Sequence, residues 1–332
     1  MNGTLLRSEI ISDVTRFAAL APHWWSLWEH SSSATPFQSP AWLLPWWHTF
    51  APGELATVAV WRSTELVGLA PFYVERGMAG LKLLPVGISL SDYLDLLCLP
   101  GTEAAVAEVM AERLLSIEWS QWILPDLPAG GAALSIADCR LGIGQTVKHA
   151  ACPVLVTIGD DTLSGCVPAR RRRQLRRACQ AASRRGRLEV VSARGDTDAF
   201  LDQLIRLHCA RWAGNGNGVL ADGSVQAFHR RALPLLEARG LARCWLLTID
   251  GHTVGAYYGF HHRGRSYAYL GGFDPAYDRE SPGAILIGHA IAQSIREEAR
   301  EFDFLRGREA YKYTWGATDR WTMRSVFTRN QA

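Results

Sequence analysis

The order of secondary-structure signals constrains the fold of this chain more than any other feature, because one order occurs twice. In the first half, two β-like runs joined by a polar turn precede a third run, a helix and a closing strand, at residues 56–61, 66–75, 93–99, 102–117 and 119–124. The corresponding segments of the second half are residues 242–249, 253–261, 265–273, 281–299 and 302–305, with a hairpin signal at Asp250-Gly251. A shift of 187 positions places Val67-Gly68 on Val254-Gly255.

A duplicated unit keeps its architecture after its residues diverge. The repeat therefore predicts two tandem α/β (α+β) modules, each with a mixed central sheet flanked by helices. Between the halves lie a strand at residues 152–158, a predicted cap at Asp160-Asp161-Thr162 and an arginine-rich helix ending at Gly186. We therefore place the module boundary near residue 155, which gives modules of residues 1–155 and 156–332. Helices at residues 198–212 and 225–238 flank a Gly/Asn-rich loop in the second module.

Composition excludes several classes of protein. The 332 residues are 48% apolar with a formal net charge of +3, so both modules can bury a core and no global charge favours nucleic acid or membranes. The seven cysteines are scattered and never form a CxxC pair, which argues against a disulfide framework and a zinc knuckle. Polar residues interrupt the N-terminal segment, and no run approaches the ~20 apolar residues of a membrane span. The sequence predicts a soluble, cytoplasmic protein.

Six motifs follow one another in an order that resembles a known family. They are Phe37-Gln-Ser-Pro-Ala-Trp42, the arginine-rich helix, Leu207-His208-x-x-Arg211-Trp212, Asp250-Gly251, Ser281-Pro282-Gly283 and Phe302-Asp303-Phe304-Leu305-x-Gly307-x-Glu309-x-x-Lys312. Together they resemble the CelD/BcsL-type acetyltransferases of the GNAT superfamily, which are related to the FemAB-type aminoacyltransferases of peptidoglycan synthesis. The resemblance covers nearly the whole chain and implies paired GNAT folds, in agreement with the repeat.

The resemblance also implies where an acyl-CoA donor binds. In GNAT enzymes the pantetheine arm enters a splayed strand pair and the pyrophosphate lies at the start of the next helix. Two glycines inside a strand are typical of a bulge that a ligand can approach, and a helix N-terminus attracts phosphate. Pro282 replaces the first glycine of the usual loop and removes an N–H donor, and the same Ser-Pro-Gly sequence is equally ordinary capping chemistry. The residues assigned to the donor are Gly271, Gly272, Arg279, Ser281, Gly283 and Ala284.

Charged residues after the last repeated strand are the predicted catalytic group, because charges at the carboxyl end of a strand in an α/β fold commonly lie at a site. Glu309 is expected to accept the nucleophile's proton, and Lys312 to stabilise the oxyanion or hold an acidic substrate. In the FemAB relatives a lysine in a comparable place acts on the donor carbonyl. Asp303 is assigned with them, although it equally suits an anchor for neighbouring backbone. A structural Glu–Lys pair is the alternative.

His208 and Arg211 are one turn apart on a predicted helix and therefore share a face. With Trp212 and Tyr269 they are assigned to substrate binding, and deprotonation of the acceptor is a further role for His208. A packed core histidine is the alternative. The histidines, including His261-His262, show no metal-ligand pattern, so we predict no metal.

Nine arginines between Arg170 and Arg187 form the strong local charge of the chain. They predict either contact with a polyanion, such as tRNA, a nucleotide-sugar, CoA phosphates or anionic lipid, or a solvated helix face. Six N-terminal tryptophans predict either a surface that stacks on sugars or, more ordinarily, core packing. They are Trp24, Trp25, Trp28, Trp42, Trp46 and Trp47.

These features predict an acyl-CoA-dependent N- or O-acyltransferase that modifies a cell-envelope or exopolysaccharide-related acceptor. Two alternatives stay open: an aminoacyl-tRNA-dependent aminoacyltransferase of the FemAB kind, and a non-catalytic partner of glycan synthesis. The first module lacks an arginine before its helix and a charged segment after its closing strand. We expect it to be a degenerate copy on the acceptor side, and we assign the chemistry to residues after about 200.

Overall fold

The computed structural model describes residues 6–329 apart from residues 79, 138–142, 160, 161, 215 and 217. Asp160 and Asp161 of the predicted cap lie outside these residues. The strands are β1 Leu6–Ile11, β2 Glu54–Leu55, β3 Thr57–Arg62, β4 Glu65–Ala70, β5 Phe72–Gly77, β6 Gly80–Pro85, β7 Leu97–Cys98, β8 Gln121–Pro128, β9 Ile143–Val156, β10 Leu188–Ser192, β11 Ala242–Ile249, β12 His252–His262, β13 Arg265–Phe273, β14 Glu301–Asp303 and β15 Thr318–Thr328.

The helices predicted at residues 102–117, 198–212, 225–238 and 281–299 and the arginine-rich helix are all present, with bounds within a few residues of the prediction. The α-helices are α1 Val14–Ala19, α2 Ala21–His30, α3 Pro40–Phe50, α4 Glu103–Ser116, α5 Ala132–Ala137, α6 Leu163–Cys166, α7 Ala169–Arg185, α8 Thr197–Trp212, α9 Gly223–Ala238, α10 Pro282–Arg296 and α11 Ala310–Tyr313.

Two compact units form, one of Met1–Ala150 with Trp321–Ala332 and one of Ala151–Arg320. Sequence order alone placed the last residues of the chain in the second module. In the structure they group with the first unit because β15 pairs antiparallel with β8, from Thr322 opposite Pro128 to Thr328 opposite Gln121. The second unit is thus a continuous segment, whereas the first is built from both ends of the chain.

The first unit contains strands in the order β1-β3-β4-β7 and in the order β15-β8-β6-β5-β2. Five of the six N-terminal tryptophans are buried, which excludes these five from a sugar-stacking surface. Trp24 and Trp42 are completely enclosed, and their indole N–H groups donate to Gln38 O and Ser91 Oγ at 3.0 and 2.9 Å. The aromatic motif at residues 37–47 therefore builds core.

The second unit contains strands in the order β10-β11-β12-β13-β14, followed by residues 151–156 of β9. Tyr257 of β12 belongs to an apolar core shared with α7 and α10. The neighbouring Tyr258 packs its ring against Phe200 of α8 and His229 of α9. Because successive side chains of a strand point to opposite faces, α7 with α10 and α8 with α9 cover the two faces of this sheet.

The two units repeat details that a chance likeness in element order would not share. The pairing of β3 with β4 is irregular between Val60 and Trp61, and that of β11 with β12 between Leu247 and Thr248, which is again a shift of 187. Gly68 allows close approach of Val106 on α4, and Gly255 allows close approach of Leu286 on α10. The prediction of two tandem modules of mixed sheet and helices is confirmed.

Alanine at Gly68 or Gly255 would place a methyl group against the helix that packs on the strand. We expect each substitution to lower the free energy of unfolding by about 1–3 kcal/mol, because overpacking forces neighbours from their rotamers. Urea denaturation measures the change. The control is Gly223→Ala, where the space within 4 Å is open, with an expected change within about 0.5 kcal/mol. Equal losses in all three variants would contradict the explanation.

Candidate functional site

A divergence of two parallel strands forms the centre of the site in the second unit. β13 and β14 pair from Arg265 opposite Glu301 to Tyr267 opposite Asp303. Beyond this point β13 continues to Phe273, whereas the chain leaving β14 stays beside β9, with Phe304 N–H donating to Pro153 O at 2.9 Å. In the described part of the chain, residues 268–273 thus have no strand partner on the β14 side. An open strand edge can pair with the amide groups of a linear ligand.

The β-bulge of this region lies two residues before the predicted one. Tyr258 pairs with Leu270 and Gly259 with Ala268, so Tyr269 is the extra residue. Gly271 and Gly272 pair regularly with β12. The glycine at 272 serves packing instead, since a Cβ there would overlap the backbone of α8 at His208. Gly272 thus allows α8 to pack against the open edge.

Tyr269, which the sequence assigned to substrate, lies in an aromatic cluster on the α9 side of the sheet. Its ring centroid is 5.7 Å from that of His229, 5.5 Å from Tyr258 and 5.4 Å from Phe260. These contacts leave the side chain half-buried. Tyr269 therefore contributes to the packing between the sheet and the helices α8 and α9.

The N-terminus of α10 lies at the far end of the open edge, where a Cβ added at Gly283 would lie 3.6 Å from the Phe273 ring. Ser281 adopts a left-handed conformation with φ 52°, and its carbonyl accepts from both Ala284 N–H and Ile285 N–H, at 2.9 and 3.2 Å. Ser281 N–H itself donates to Asp278 O at 3.0 Å. Since Pro282 has no N–H, Gly283 carries the one N–H of residues 281–285 without a protein acceptor among the described residues.

Arg185, in the last turn of α7, binds the segment that precedes α10. The Arg185 guanidinium lies 4.3 Å from the Tyr277 ring centroid and donates to Ala276 O and Glu280 Oε2 at 3.3 and 3.2 Å. Arg279, the arginine assigned to donor phosphate, is exposed beside it. An arginine side chain and one backbone N–H are thus the donors that this loop offers to an anion.

Lys312 is buried and its ammonium is fully occupied. Nζ donates to the carbonyls of Leu305, Arg306 and Gly307 at 3.1, 2.7 and 3.2 Å and forms an ion pair with Glu309 at 2.9 Å. Leu305 and Gly307 both have positive φ, so the ammonium closes a sharply bent turn. Because three N–H groups already serve three carbonyls, Lys312 holds the chain that diverges from β13.

Asp303 and Glu309 differ in exposure. Asp303 is completely buried, and its Oδ1 accepts Leu305 N–H at 2.7 Å, so it anchors the same turn from below. The side chain of Glu309 is 54% exposed next to Lys312. Of the three predicted catalytic residues, Glu309 is therefore the one that solvent or substrate reaches.

The end of α8 faces the open edge with a cation and aromatic rings. The Arg211 guanidinium lies 5.1 Å from the Phe273 ring centroid and 5.5 Å from that of Trp212. Arg211 is also close enough to Tyr311 of α11 to act on its ionisation. Desolvation and the Glu309 carboxylate raise the pKa of Tyr311 to about 12, against the opposing charge of Arg211. The Tyr311 hydroxyl is protonated at neutral pH.

His208 lies one turn earlier on α8, with Nδ1 3.1 Å from Gly271 O. Burial and the nearby Arg211 charge lower the pKa of His208, and its hydrogen bond to Gly271 opposes them. The structure thus brings His208, Arg211, Gly271 and Gly283 to one end of β13. Sequence reasoning missed Tyr311 and Phe273. The signal for Tyr311 was its place between Glu309 and Lys312, in a segment already assigned to the site.

Within residues 6–329, outside the gaps given above, no cluster of three or more His, Cys, Asp or Glu side chains suits a metal ion. No helix among the described residues is long and apolar enough to span a membrane.

The sequence of residues 169–313 matches the family described as the acetyltransferase (GNAT) domain. The match covers a little under half of the chain and lies inside the second unit, where the open edge and α10 are found. This domain is an acyltransferase domain. No curated protein matches the chain.

Solved structures share the fold over nearly the whole chain. FemX superposes with a TM-score of 0.66 at 11% identity and covers 98% of both chains. The C-terminal domain of a putative lysylphosphatidylglycerol synthetase from Agrobacterium fabrum gives 0.61 at 9% identity, covering 95% of this chain and 92% of that one. A tandem GNAT protein from the clavulanic acid biosynthesis pathway gives 0.51 at 14% identity, covering 99% and 100%. At these identities the likeness establishes a tandem GNAT-like fold.

If the buried ammonium closes the turn, Lys312→Met should lower the free energy of unfolding by about 2–3 kcal/mol, because three buried carbonyls lose a charged donor. The matched variant Glu309→Gln removes only the exposed partner and should cost about 0–1 kcal/mol. Chemical denaturation of both variants gives the comparison. A loss for Glu309→Gln as large as that for Lys312→Met would show that the ion pair, and not the carbonyl contacts, holds the turn.

Proposed function

We propose that the GNAT domain transfers an acyl group from an acyl-CoA to an amine or hydroxyl of an acceptor. The observation that carries the proposal is the open edge of β13 at residues 268–273, which ends beside Gly283 at the start of α10. A pantetheine arm is a linear chain that carries amide groups, and these can form hydrogen bonds with unpaired backbone groups of a strand edge. The acyl carbonyl then lies between β13 and the turn that Lys312 holds.

Tyr311 and Arg211 supply chemistry to this position. With its pKa raised to about 12, Tyr311 holds its proton at neutral pH and can give it to the departing thiolate. Arg211 is exposed and can orient an anionic group of either substrate. In this proposal Lys312 and Asp303 are positioning residues, and Glu309 is a solvent-facing carboxylate at the entrance.

The proposed acceptor is a molecule of the cell envelope or of exopolysaccharide synthesis. The order of motifs resembles the CelD/BcsL-type family, which supports an acceptor from the cell envelope or exopolysaccharide synthesis. The likeness to FemX and to lysylphosphatidylglycerol synthetase domains is consistent with envelope chemistry. The first unit, which lacks the charged segment of the second, is proposed to serve the acceptor and not the donor.

A donor panel tests the proposal directly. Acetyl-, malonyl- and longer acyl-CoAs are incubated with the full chain and amine- or hydroxyl-bearing glycans, and products are detected by mass. Thermal stability is followed in parallel, because a ligand of the folded state raises the melting temperature. A shift with an acyl-CoA, absent with free pantetheine, supports donor binding. No shift and no product with any acyl-CoA would reject this donor class.

With the donor so identified, Tyr311→Phe should lower kcat by about 10²-fold or more while the donor KM changes little, because the ring stays and only the proton donor is lost. Tyr313→Phe is the matched control, since the Tyr313 hydroxyl is engaged with Asp319 at 2.6 Å on the other side of α11. Steady-state kinetics separate the two parameters. Unchanged kcat in Tyr311→Phe would remove Tyr311 from the mechanism.

One observation favours a second candidate, in which the donor is an aminoacyl ester of RNA. The α10 loop retains a single free N–H between residues 281 and 285, which is sparse for a pyrophosphate. On α7, next to this loop, the exposed arginines form a stripe along one helix face, and the helix contains no acidic residue. The stripe consists of Arg170, Arg173, Arg176, Arg177 and Arg184.

Not every arginine of α7 is available to a polyanion. Arg171 stacks 4.2 Å from the Trp315 ring centroid, and Arg172 Nε donates to Val167 O at 3.1 Å. Substitution of these two would therefore disturb packing as well as charge. Arg173 and Arg177 lie on the exposed stripe and carry the test.

For this candidate, the double variant Arg173→Gln with Arg177→Gln should weaken binding of aminoacyl-tRNA and reduce its salt dependence by about one unit of log-log slope per lost phosphate contact. The control double variant, Arg231→Gln with Arg296→Gln, removes the same charge from other exposed positions of the second unit. Filter binding at several salt concentrations measures both. Equal weakening would indicate net charge alone, and undetectable tRNA binding by the unaltered chain would reject the candidate.

A further inference from the structure

We propose that His208 Nε2 accepts the proton of the acceptor's nucleophile during acyl transfer. The proposal rests on the acyl transfer proposed above and names the group that activates the acceptor. It holds for either donor class, because the acceptor's amine or hydroxyl must lose a proton in both.

The hydrogen bond to Gly271 fixes the tautomer of the ring. A carbonyl oxygen accepts and cannot donate, so His208 Nδ1, 3.1 Å from Gly271 O, carries the hydrogen. In the neutral ring Nε2 therefore carries a lone pair. Gly271 is part of the open edge of β13, so the ring is attached directly to the strand along which the donor is proposed to lie.

Nε2 is buried and has no hydrogen-bond partner among the described residues. The residue that covers it is Gly218, in the connection between α8 and α9. A Cβ at Gly218 would overlap Nε2 and would lie 2.9 Å from Trp212 Cδ1. A buried acceptor without a donor destabilises the protein, and a ligand N–H or O–H that reaches Nε2 removes this penalty. An acceptor that takes the place of Gly218 over the ring would supply such a group.

The charges around His208 favour the neutral ring. Arg211 lies on the same helix, and His229 approaches from α9, where it packs against Tyr258 of β12 and Tyr269 of β13. None of these groups is acidic. Burial lowers the pKa of His208 below 6.5 and that of His229 to about 3. The ring is thus ready to accept a proton at pH 7.

The nucleophile's N–H or O–H gives its proton to His208 Nε2 as its lone pair forms a bond to the acyl carbon. The bond from that carbon to the sulfur of a thioester, or to the oxygen of an ester, breaks, and the leaving group takes a proton from Tyr311. The imidazolium then returns its proton to solvent, and the tyrosinate recovers one from solvent.

The variant that tests the proposal is His208→Asn. An asparagine amide can keep the donor to Gly271 O while the lone pair of Nε2 is absent. We expect kcat to fall by about 10²-fold or more, with the thermal shift on donor binding unchanged. The unaltered protein should lose kcat/KM as pH falls through the pKa of His208, below 6.5, and this acid limb should be absent in His208→Asn.

The control is His229→Gln, which alters the neighbouring buried histidine without touching Gly271, and it should keep the acid limb. A His208→Asn protein that transfers at an undiminished rate would overturn the proposal. So would a slow variant that keeps the acid limb, since the histidine would then only position β13. If the unaltered protein transfers no acyl group from any donor, the proposed function fails, and this outcome is distinct from both.

Discussion

The site depends on the hydrogen bonds that the Lys312 ammonium donates to three backbone carbonyls. β13 and β14 are parallel neighbours for only three residue pairs, and the chain must then turn away for an edge to open. Two residues with positive φ and a buried carboxylate build that turn, and one lysine donates hydrogen bonds to three of its carbonyls. Without the lysine these carbonyls would be buried without donors, and the diverging chain could relax towards β13. The charge is used to hold backbone in place.

Close packing of glycines links this turn to the rest of the second unit. Gly255 admits α10 and Gly272 admits α8, on opposite faces of the sheet. The ends of both helices thereby reach the same end of β13, where Phe273 lies between Gly283 and Arg211. The first unit has the corresponding glycine at position 68 and the corresponding irregular pairing, but no charged turn after its closing strand. Architecture has been kept in both copies, and the residues of the candidate site occur in one.

The order of elements was predictable because hydrophobic periodicity, hairpin turns and helix caps are local signals. The bounds of β13 were predicted to the residue, and α7 to within one residue at each end. The run at residues 93–99 gave only the short β7, since residues 91–96 are buried in an irregular loop where Asp95 accepts three backbone N–H groups. Burial made that segment look like a strand. The bulge was predicted at Gly271-Gly272 but lies at Tyr269. A glycine pair in a strand indicates that another group approaches closely, but it does not tell whether that group is a ligand or a helix.

The site itself was harder to predict than the fold. The sequence singled out Glu309 and Lys312 after one strand and His208 on a helix, but the hydrogen bonds of the Lys312 ammonium depend on three carbonyls whose directions no sequence pattern specifies. Tyr311 was missed because a single tyrosine has no spacing signal. Ser281 was assigned to phosphate binding, but its carbonyl accepts hydrogen bonds from the Ala284 and Ile285 N–H groups at the start of α10. The sequence thus indicated which residues to assign to the site, whereas the structure was needed to show which of their polar groups already have hydrogen-bond partners.

The discontinuous first unit has a consequence for biosynthesis. Most of strand β15 leaves the ribosome after the residues of the second unit. Strand β8 can pair with β6, but it lacks its other neighbour until β15 has been translated, and this pairing requires contacts between residues about two hundred positions apart. Non-local pairing of this kind is slow to form and leaves an unpaired edge exposed meanwhile. The second unit is a continuous segment and can therefore fold first. It then resembles a domain inserted into the first unit, which is completed afterwards.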